Sequence, residues 1–233
     1  YAQTPWNWMG VPLIHAGEVL GILTLMCKSK RPCWTRLSDM IASFASQAAI
    51  ALENARLFER VERLATTDPL TGIYNRYRFL QIFERELKRN KRYSHPFSFA
   101  IFDVDKYKPI NDQHGHLFGD KVLVEIARLC IENLREADVI GRYGGDEFVI
   151  LMPETRGECA YKITERLRKI VANHRIENAE NSVSVTISVG ITSVNNVVST
   201  DKTFLEKIID QADQALYRSK KTGRNKTTIW KNM

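Results

Sequence analysis

The chain has 233 residues, 34 Lys and Arg against 27 Asp and Glu, and a formal net charge of +7. A composition 44% hydrophobic and 26% charged excludes a disordered or collagen-like chain and predicts a buried core in one or two domains. The longest apolar run, residues 19–26, is shorter than the ~20 residues of a membrane-spanning helix.

Residues 10–14 and 19–26 alternate like strands around His15, Ala16, Gly17 and Glu18, which predicts a hairpin. Two strands alone make no stable sheet, so this zone reads as the tail of a larger domain. The chain opens on Tyr1 without a basic-then-apolar leader, and its natural start is expected upstream. Residues 35–65 contain no Gly or Pro and read as one helix. Ile50, Leu57, Val61 and Leu64 follow a four-three spacing with Asn54 at the intervening seam position. That is a short coiled-coil signal, and it predicts a parallel dimer stalk; a single helix packed on its own domain is the alternative. Pro69 breaks the pattern.

Helices and strands then alternate. A helix is expected over residues 76–92, a buried strand over 97–103, a helix face through Val122, Leu123, Ile126 and Cys130, and a hairpin of 139–143 with 148–152. A helix through Ala160, Leu167 and Val171 follows, then a strand over 183–191, a helix through Phe204, Ile208 and Leu216, and a last strand over 227–230. This interleaving predicts a layered α/β or α+β domain.

Cys27, Cys33, Cys130 and Cys159 form no Cys-x-x-Cys pair and have no His at metal-ligand spacing. Reduced thiols in a cytoplasmic protein are expected rather than a zinc site. Asp103 ends an apolar strand, and Asp146 and Glu147 flank the Gly144–Gly145 turn. If the strands are neighbours, these acids converge at one sheet edge, where hard carboxylates suit Mg²⁺. Both glycines are expected to allow a turn with positive φ. Taken alone, the string is equally a plain Gly-Gly hairpin with solvated acids. The positive charge fits an anionic ligand such as a nucleotide. No basic stripe interleaved with aromatics appears, so nucleic-acid binding is not expected.

Five motifs occur in order: DPLTGIYNR (68–76), DVDKYKPIND (103–112), GHLFGD (115–120), RYGGDEF (142–148) and DQALYRSKKTGRN (213–225). Over residues 66–230 the chain resembles the GGDEF family, the diguanylate cyclases. The resemblance implies a nucleotidyl-cyclase-like α/β (α+β) domain, with a central mostly antiparallel sheet wrapped by helices. It implies condensation of two GTP into cyclic di-GMP and two pyrophosphates, dependent on Mg²⁺ with Mn²⁺ as the alternative. Matched by position, Asp103, Asp146 and the Val104 carbonyl would hold the metal, and Glu147 would help deprotonate the ribose 3′-hydroxyl. Asn111 and Asp120 would read guanine; Asp120 is also expected to cap the helix that follows it. Lys108, Lys220 and Arg224 would contact phosphates. Lys220 and Arg224, four apart, would share a helix face if the last helix reaches that far; without the resemblance they read as solvated helix-end cations. Asp105 reads as a turn cap outside the site. Tyr107 and Ser219 stand where the family more often has Phe and Ala.

Upstream, Arg135 and Asp138 match the family's Arg-x-x-Asp inhibitory product site, with Arg166 as a supplementary arginine. Taken alone, such a pair is a common surface feature. GVPLIHAGEVLGILTL (10–25) and AAIALENARL (48–57) resemble the last strands and closing helix of a GAF sensor domain, preceding the catalytic fold as a partial sheet and a long helix. The expected organisation is a GAF-like fragment over residues 1–35, a closing helix and coiled-coil stalk over 36–65, and a GGDEF domain over 66–233. The expected protein is a sensor-controlled cyclase acting as a homodimer, with product as feedback inhibitor and no membrane segment in this chain. The alternative is a silent GGDEF module that binds cyclic di-GMP or GTP.

Overall fold

The structure, a computed structural model, describes residues 6–28, 37–177 and 182–231. Cys33 and residue 36, the first of the expected stalk, lie outside the described residues. The chain divides into two compact units at Leu64/Ala65.

In the first unit, β1 (Trp6–His15) and β2 (Glu18–Lys28) pair antiparallel. Ala16 and Gly17 join them with φ of 48° and 87°, a two-residue turn whose twist matches that of the strands. Helix α1 (Ser38–Thr66) contributes Ile41, Ala45 and Ala49 to its buried face, and the two alanines cluster with Leu13 of β1. Trp8, Ile22 and Met26 are exposed on the hairpin. The heptad positions Ile50, Leu57, Val61 and Leu64 are exposed along α1.

The second unit is built on a six-stranded sheet of order β10-β9-β4-β6-β5-β3. Its strands are β3 (Tyr74–Asn75), β4 (Phe97–Val104), β5 (Val139–Gly144), β6 (Glu147–Pro153), β9 (Ile187–Val194) and β10 (Thr227–Ile229). The three central pairings are antiparallel, and the edge strands β3 and β10 join parallel. β4 is buried on both faces, which is why its sequence is a continuous apolar run. Ala100, Phe102 and Val104 belong to one core, with helices α4 (His116–Asn133) and α5 (Gly157–Asn173). Phe97, Phe99 and Ile101 belong to the other, with α2 (Arg76–Tyr93) and α6 (Lys202–Lys221). The two-residue period of the strand sorts these side chains to opposite faces.

Three elements differ from the sequence expectation. A short helix, α3 (Tyr107–His114), follows β4 where no helix was expected. The strand expected over 183–191 is two strands. β8 (Ser182–Ser184) pairs with β7 (Arg175–Glu177) in a separate ribbon, and β9 begins at Ile187. The break falls at Val185 and Thr186, where the Asp105 amide donates to the Thr186 carbonyl and takes the chain from the ribbon into the main sheet. At the β5–β6 turn only Gly145 has positive φ, 52°, so Gly144 is not required there for its conformation.

Candidate active site

β4 lies between β6 and β9, with Asp103 in register with Glu147 on one side and Ser188 on the other. The β5–β6 turn then sets Asp146 beside the end of β4, where the Val104 amide donates to the Asp146 carbonyl at 3.3 Å. Asp103, Asp146 and Glu147 thus meet at one end of the sheet. Lys220, in the last turn of α6, answers them with Nζ 2.8 Å from Asp103 Oδ2. Burial pushes the Asp103 carboxyl up to about 6; the Lys220 contact opposes this and the Asp146 charge adds to it. Burial also raises Glu147, against the pull of Lys220 and with the push of Asp146 and Asp213.

This electrostatic strain is the test for a metal. Acid charges that raise the proton affinity of Asp103 and Glu147 make a site that a divalent cation relieves. Among the described residues no three His, Cys, Asp or Glu side chains converge closely enough to cage an ion. Mg²⁺ does not need such a cage, because it takes one or two carboxylates and completes its shell with water and phosphate oxygens. The donor set of Asp103, Asp146 and a backbone carbonyl fits that habit.

Beside the acids, α3 and α4 pack against each other. Asn111 of α3 turns its side chain over Gly119 of α4, where a Cβ would lie 1.8 Å from Asn111 Oδ1 and 3.0 Å from the Tyr107 hydroxyl. Any other residue at 119 would expel the carboxamide. The Asn111 side chain hydrogen-bonds the Tyr107 hydroxyl, and its Oδ1 is buried with no hydrogen-bond donor among the described residues. Asp120 follows at a half-buried position. It does not cap the helix: α4 starts at His116 after Gly115, so Asp120 lies inside it. Lys108 is exposed on α3.

Lys220 and Arg224 do not share a helix face. α6 ends at Lys221, and Gly223, Arg224 and Asn225 follow with φ of 116°, 60° and 46°. The left-handed turn carries Arg224 back toward Asp105, with Nε 4.0 Å from Oδ1. Ser219, fully buried, donates to the Val189 carbonyl at 2.8 Å and contacts Thr228 Oγ1 at 2.7 Å. It thereby fastens the end of α6 that presents Lys220.

Arg135 and Asp138 form a closed turn before β5. The Arg135 amide donates to Asp138 Oδ2 at 3.0 Å, and the Asp138 amide donates to the Arg135 carbonyl at 2.9 Å. Burial raises the Asp138 carboxyl, and the charges of Arg135 and Arg166 oppose that rise. Arg166 also donates to the Asn133 carbonyl at 2.6 Å. These three residues therefore sit together at the start of β5, whose six residues (Val139–Gly144) separate them from the acidic turn by about 20 Å.

Sequence reasoning passed over two contacts. Arg142 Nη1 bonds both carboxylate oxygens of Asp68 at 3.0 and 3.1 Å while its Nε donates to the Gly145 carbonyl at 2.9 Å. The loop that opens the second unit is thus tied to the turn bearing Asp146. Arg76 lies over the Tyr143 ring at 4.5 Å, and its charge acts on Glu147. Both arginines stand inside the quoted motifs, which was the available signal.

A family model described as the diguanylate cyclase GGDEF domain matches residues 65–226. The chain belongs to the GGDEF family. Diguanylate cyclase A of Treponema denticola is 34% identical over 227 residues, covering 95% of this chain and 59% of that protein. Diguanylate cyclase DgcP of Pseudomonas aeruginosa is 41% identical over 165 residues, covering 71% of this chain and 24% of that protein. The chain therefore spans under two thirds of either relative. Among solved structures, the coiled coil and GGDEF domain of DgcB from Caulobacter crescentus, in complex with c-di-GMP, superposes with a TM-score of 0.73 at 27% identity. It covers 82% of this chain and 98% of that one. The GGDEF assignment thus rests on sequence and on fold together. Among the described residues no helix is long and apolar enough to cross a membrane.

Proposed function

We propose that this chain is a diguanylate cyclase that condenses two GTP into cyclic di-GMP, with Mg²⁺ as cofactor, across a homodimer of GGDEF domains in the cytoplasm. The observation that carries the reading is the intact RYGGDEF turn, which sets Asp146 and Glu147 beside Asp103 with Lys220 Nζ 2.8 Å from that acid.

Each domain would hold one GTP. The buried Asn111 Oδ1 without a donor would take a guanine N–H, and the Asp120 carboxylate would accept from guanine N1–H and the exocyclic amine. Adenine offers no such donor pair. Lys108, Lys220 and Arg224 would hold the phosphates. Asp103, Asp146 and the Val104 carbonyl would ligate the metal, which when bound neutralises charge on the triphosphate. Glu147 would accept the proton of the 3′-hydroxyl. The freed oxygen attacks the α-phosphorus of the GTP in the facing domain, and the P–O bond to the β-phosphate breaks. Two such attacks close the ring, releasing two pyrophosphates and two protons.

Control would lie in the approach of the two domains, because neither can close the ring alone. The exposed heptad positions of α1 support a stalk dimer, and residues 1–35 would be the end of a GAF sensor. The cluster of Arg135, Asp138 and Arg166 would bind product. The bidentate geometry of arginine suits guanine edges and phosphates, and the DgcB structure is a complex with c-di-GMP. The test is incubation of the chain with GTP and Mg²⁺ and separation of the nucleotides, with Asp146→Ala as control. Cyclic di-GMP from the wild type alone supports the proposal. If a variant dimerised by a strong parallel coiled coil binds GTP or cyclic di-GMP yet stays silent, the receptor reading replaces it.

A further inference from the structure

Asp105 is a buried charged residue that the function proposed above leaves unused. It lies two residues beyond Asp103, inside the 103–112 motif, and is 6% exposed. Its oxygens are fully engaged. Oδ2 accepts from Thr186 Oγ1 at 2.7 Å and from the Asn225 amide at 3.0 Å, and Oδ1 accepts from Ser188 Oγ at 2.7 Å. Two of these donors belong to the chain entering and starting β9; the third belongs to the turn after α6. That turn is backbone that L-residues rarely adopt, with Arg224 and Asn225 both left-handed. A left-handed turn of non-glycine residues persists only where its surroundings hold it. Here the Asn225 amide donates a charge-assisted bond to the Asp105 carboxylate, Arg168 Nη1 donates to Asn225 Oδ1 at 2.5 Å, and the Arg224 amide donates to the Ser219 carbonyl at 3.0 Å. Arg224 is half-exposed, with Nε 4.0 Å from Asp105 Oδ1; both residues line a cleft of about 460 Å³ between α3, β8 and this turn, which Asp103, Asp146 and Glu147 do not line.

We infer that Asp105 is a positioning residue that clamps the 223–225 turn so that Arg224 is presented to the nucleotide phosphates. One strand exit then does two things: Asp103 faces the site, and Asp105 braces the loop that completes it. The inference rests on the reading of Arg224 as a phosphate contact.

The test is the affinity of the chain for α,β-methylene GTP with Mg²⁺, an analogue whose leaving bond cannot break, together with amide exchange at Asn225. Asp105→Asn keeps the shape of the side chain but turns a charge-assisted bond into a neutral one. It is expected to weaken the analogue about fivefold and to speed exchange at Asn225, leaving exchange in β4 unchanged. Arg224→Ala is expected to weaken it about tenfold, and the double variant no further. Ser188→Ala, which removes a donor on the strand side, is expected to lower thermal stability without changing affinity. If Arg224→Ala weakens binding and Asp105→Asn does not, the clamp is refuted while the phosphate reading stands. Independent losses in the double variant, or equal losses of affinity in Ser188→Ala and Asp105→Asn, also refute it, since Asp105 would then act through general stability. If Arg224→Ala binds like the wild type, the phosphate reading fails and the clamp with it. Asp105→Ala, where it folds, is expected to lose more affinity than Asp105→Asn.

Discussion

Replacing Asp103 by Asn is expected to stabilise the metal-free protein while abolishing turnover. The Asp103 side chain is only 14% exposed. Burial, reinforced by the neighbouring Asp146 and Glu147, lifts its carboxyl from 3.8 to about 6 in spite of Lys220. The folded protein therefore binds this proton more tightly than the unfolded chain does. Stability from the protonated form is complete below pH about 4 and is lost as pH rises through about 6. At about 1.4 kcal/mol per unit, the loss reaches about 3 kcal/mol by pH 8, with about half of it already present at pH 5. Asparagine is neutral throughout and mimics the protonated acid. The variant should thus exceed the wild type by about 3 kcal/mol at pH 8, or roughly 6–12 °C in Tm for a chain of this size, and by about half as much at pH 5. Thermal unfolding followed by circular dichroism in EDTA at the two pH values measures this. An unchanged or lower Tm at pH 8, or a gain equal at both pH values, would refute the argument that burial strains this acid. Adding Mg²⁺ with α,β-methylene GTP should raise the wild-type Tm and leave the variant nearly unmoved.

Lys220→Met removes the ammonium 2.8 Å from Asp103. In urea unfolding it should cost the metal-free protein about 1–3 kcal/mol at pH 8 and less at pH 5, where the acid takes up a proton. Gly119→Ala places a Cβ 1.8 Å from Asn111 Oδ1, so competition binding should show the preference for GTP over ATP falling about tenfold. Asp68→Asn weakens the bond to Arg142. Although burial pushes the Asp68 carboxyl up, bonds from Thr71 and Arg142 outweigh it and hold the group below 3.8. The variant should therefore lose about 1–2 kcal/mol at pH 7, a deficit that holds down to about pH 3.8 and fades only as the pH falls below it. Arg135→Ala should leave initial rates of cyclic di-GMP formation intact and remove the slowing that accumulated product causes.

Much of this protein is local, and its sequence declares it. Apolar periodicity specified α2, α5 and α6, because each buries a single stripe. The unbroken apolar run of β4 announced a strand covered on both faces, and Ala16 and Gly17 marked their hairpin by turn chemistry alone. The five motifs named the family and nearly every residue of the candidate site. Distance and direction were not local. Helix α3 was missed because its eight residues bury no full stripe and gain their place from α4. The strand around Val183 was read as continuous because the path from ribbon to main sheet depends on Thr186 meeting Asp105 across 81 positions. Lys220 and Arg224 shared a face only on paper: a left-handed turn intervenes, and a helix end is decided by what the next residues can bond. Only the fold brought Asp68 to Arg142 and Asp105 to Asn225. Composition and spacing cannot show such meetings, because their energy comes from groups far apart in the chain that become neighbours once the sheet has formed.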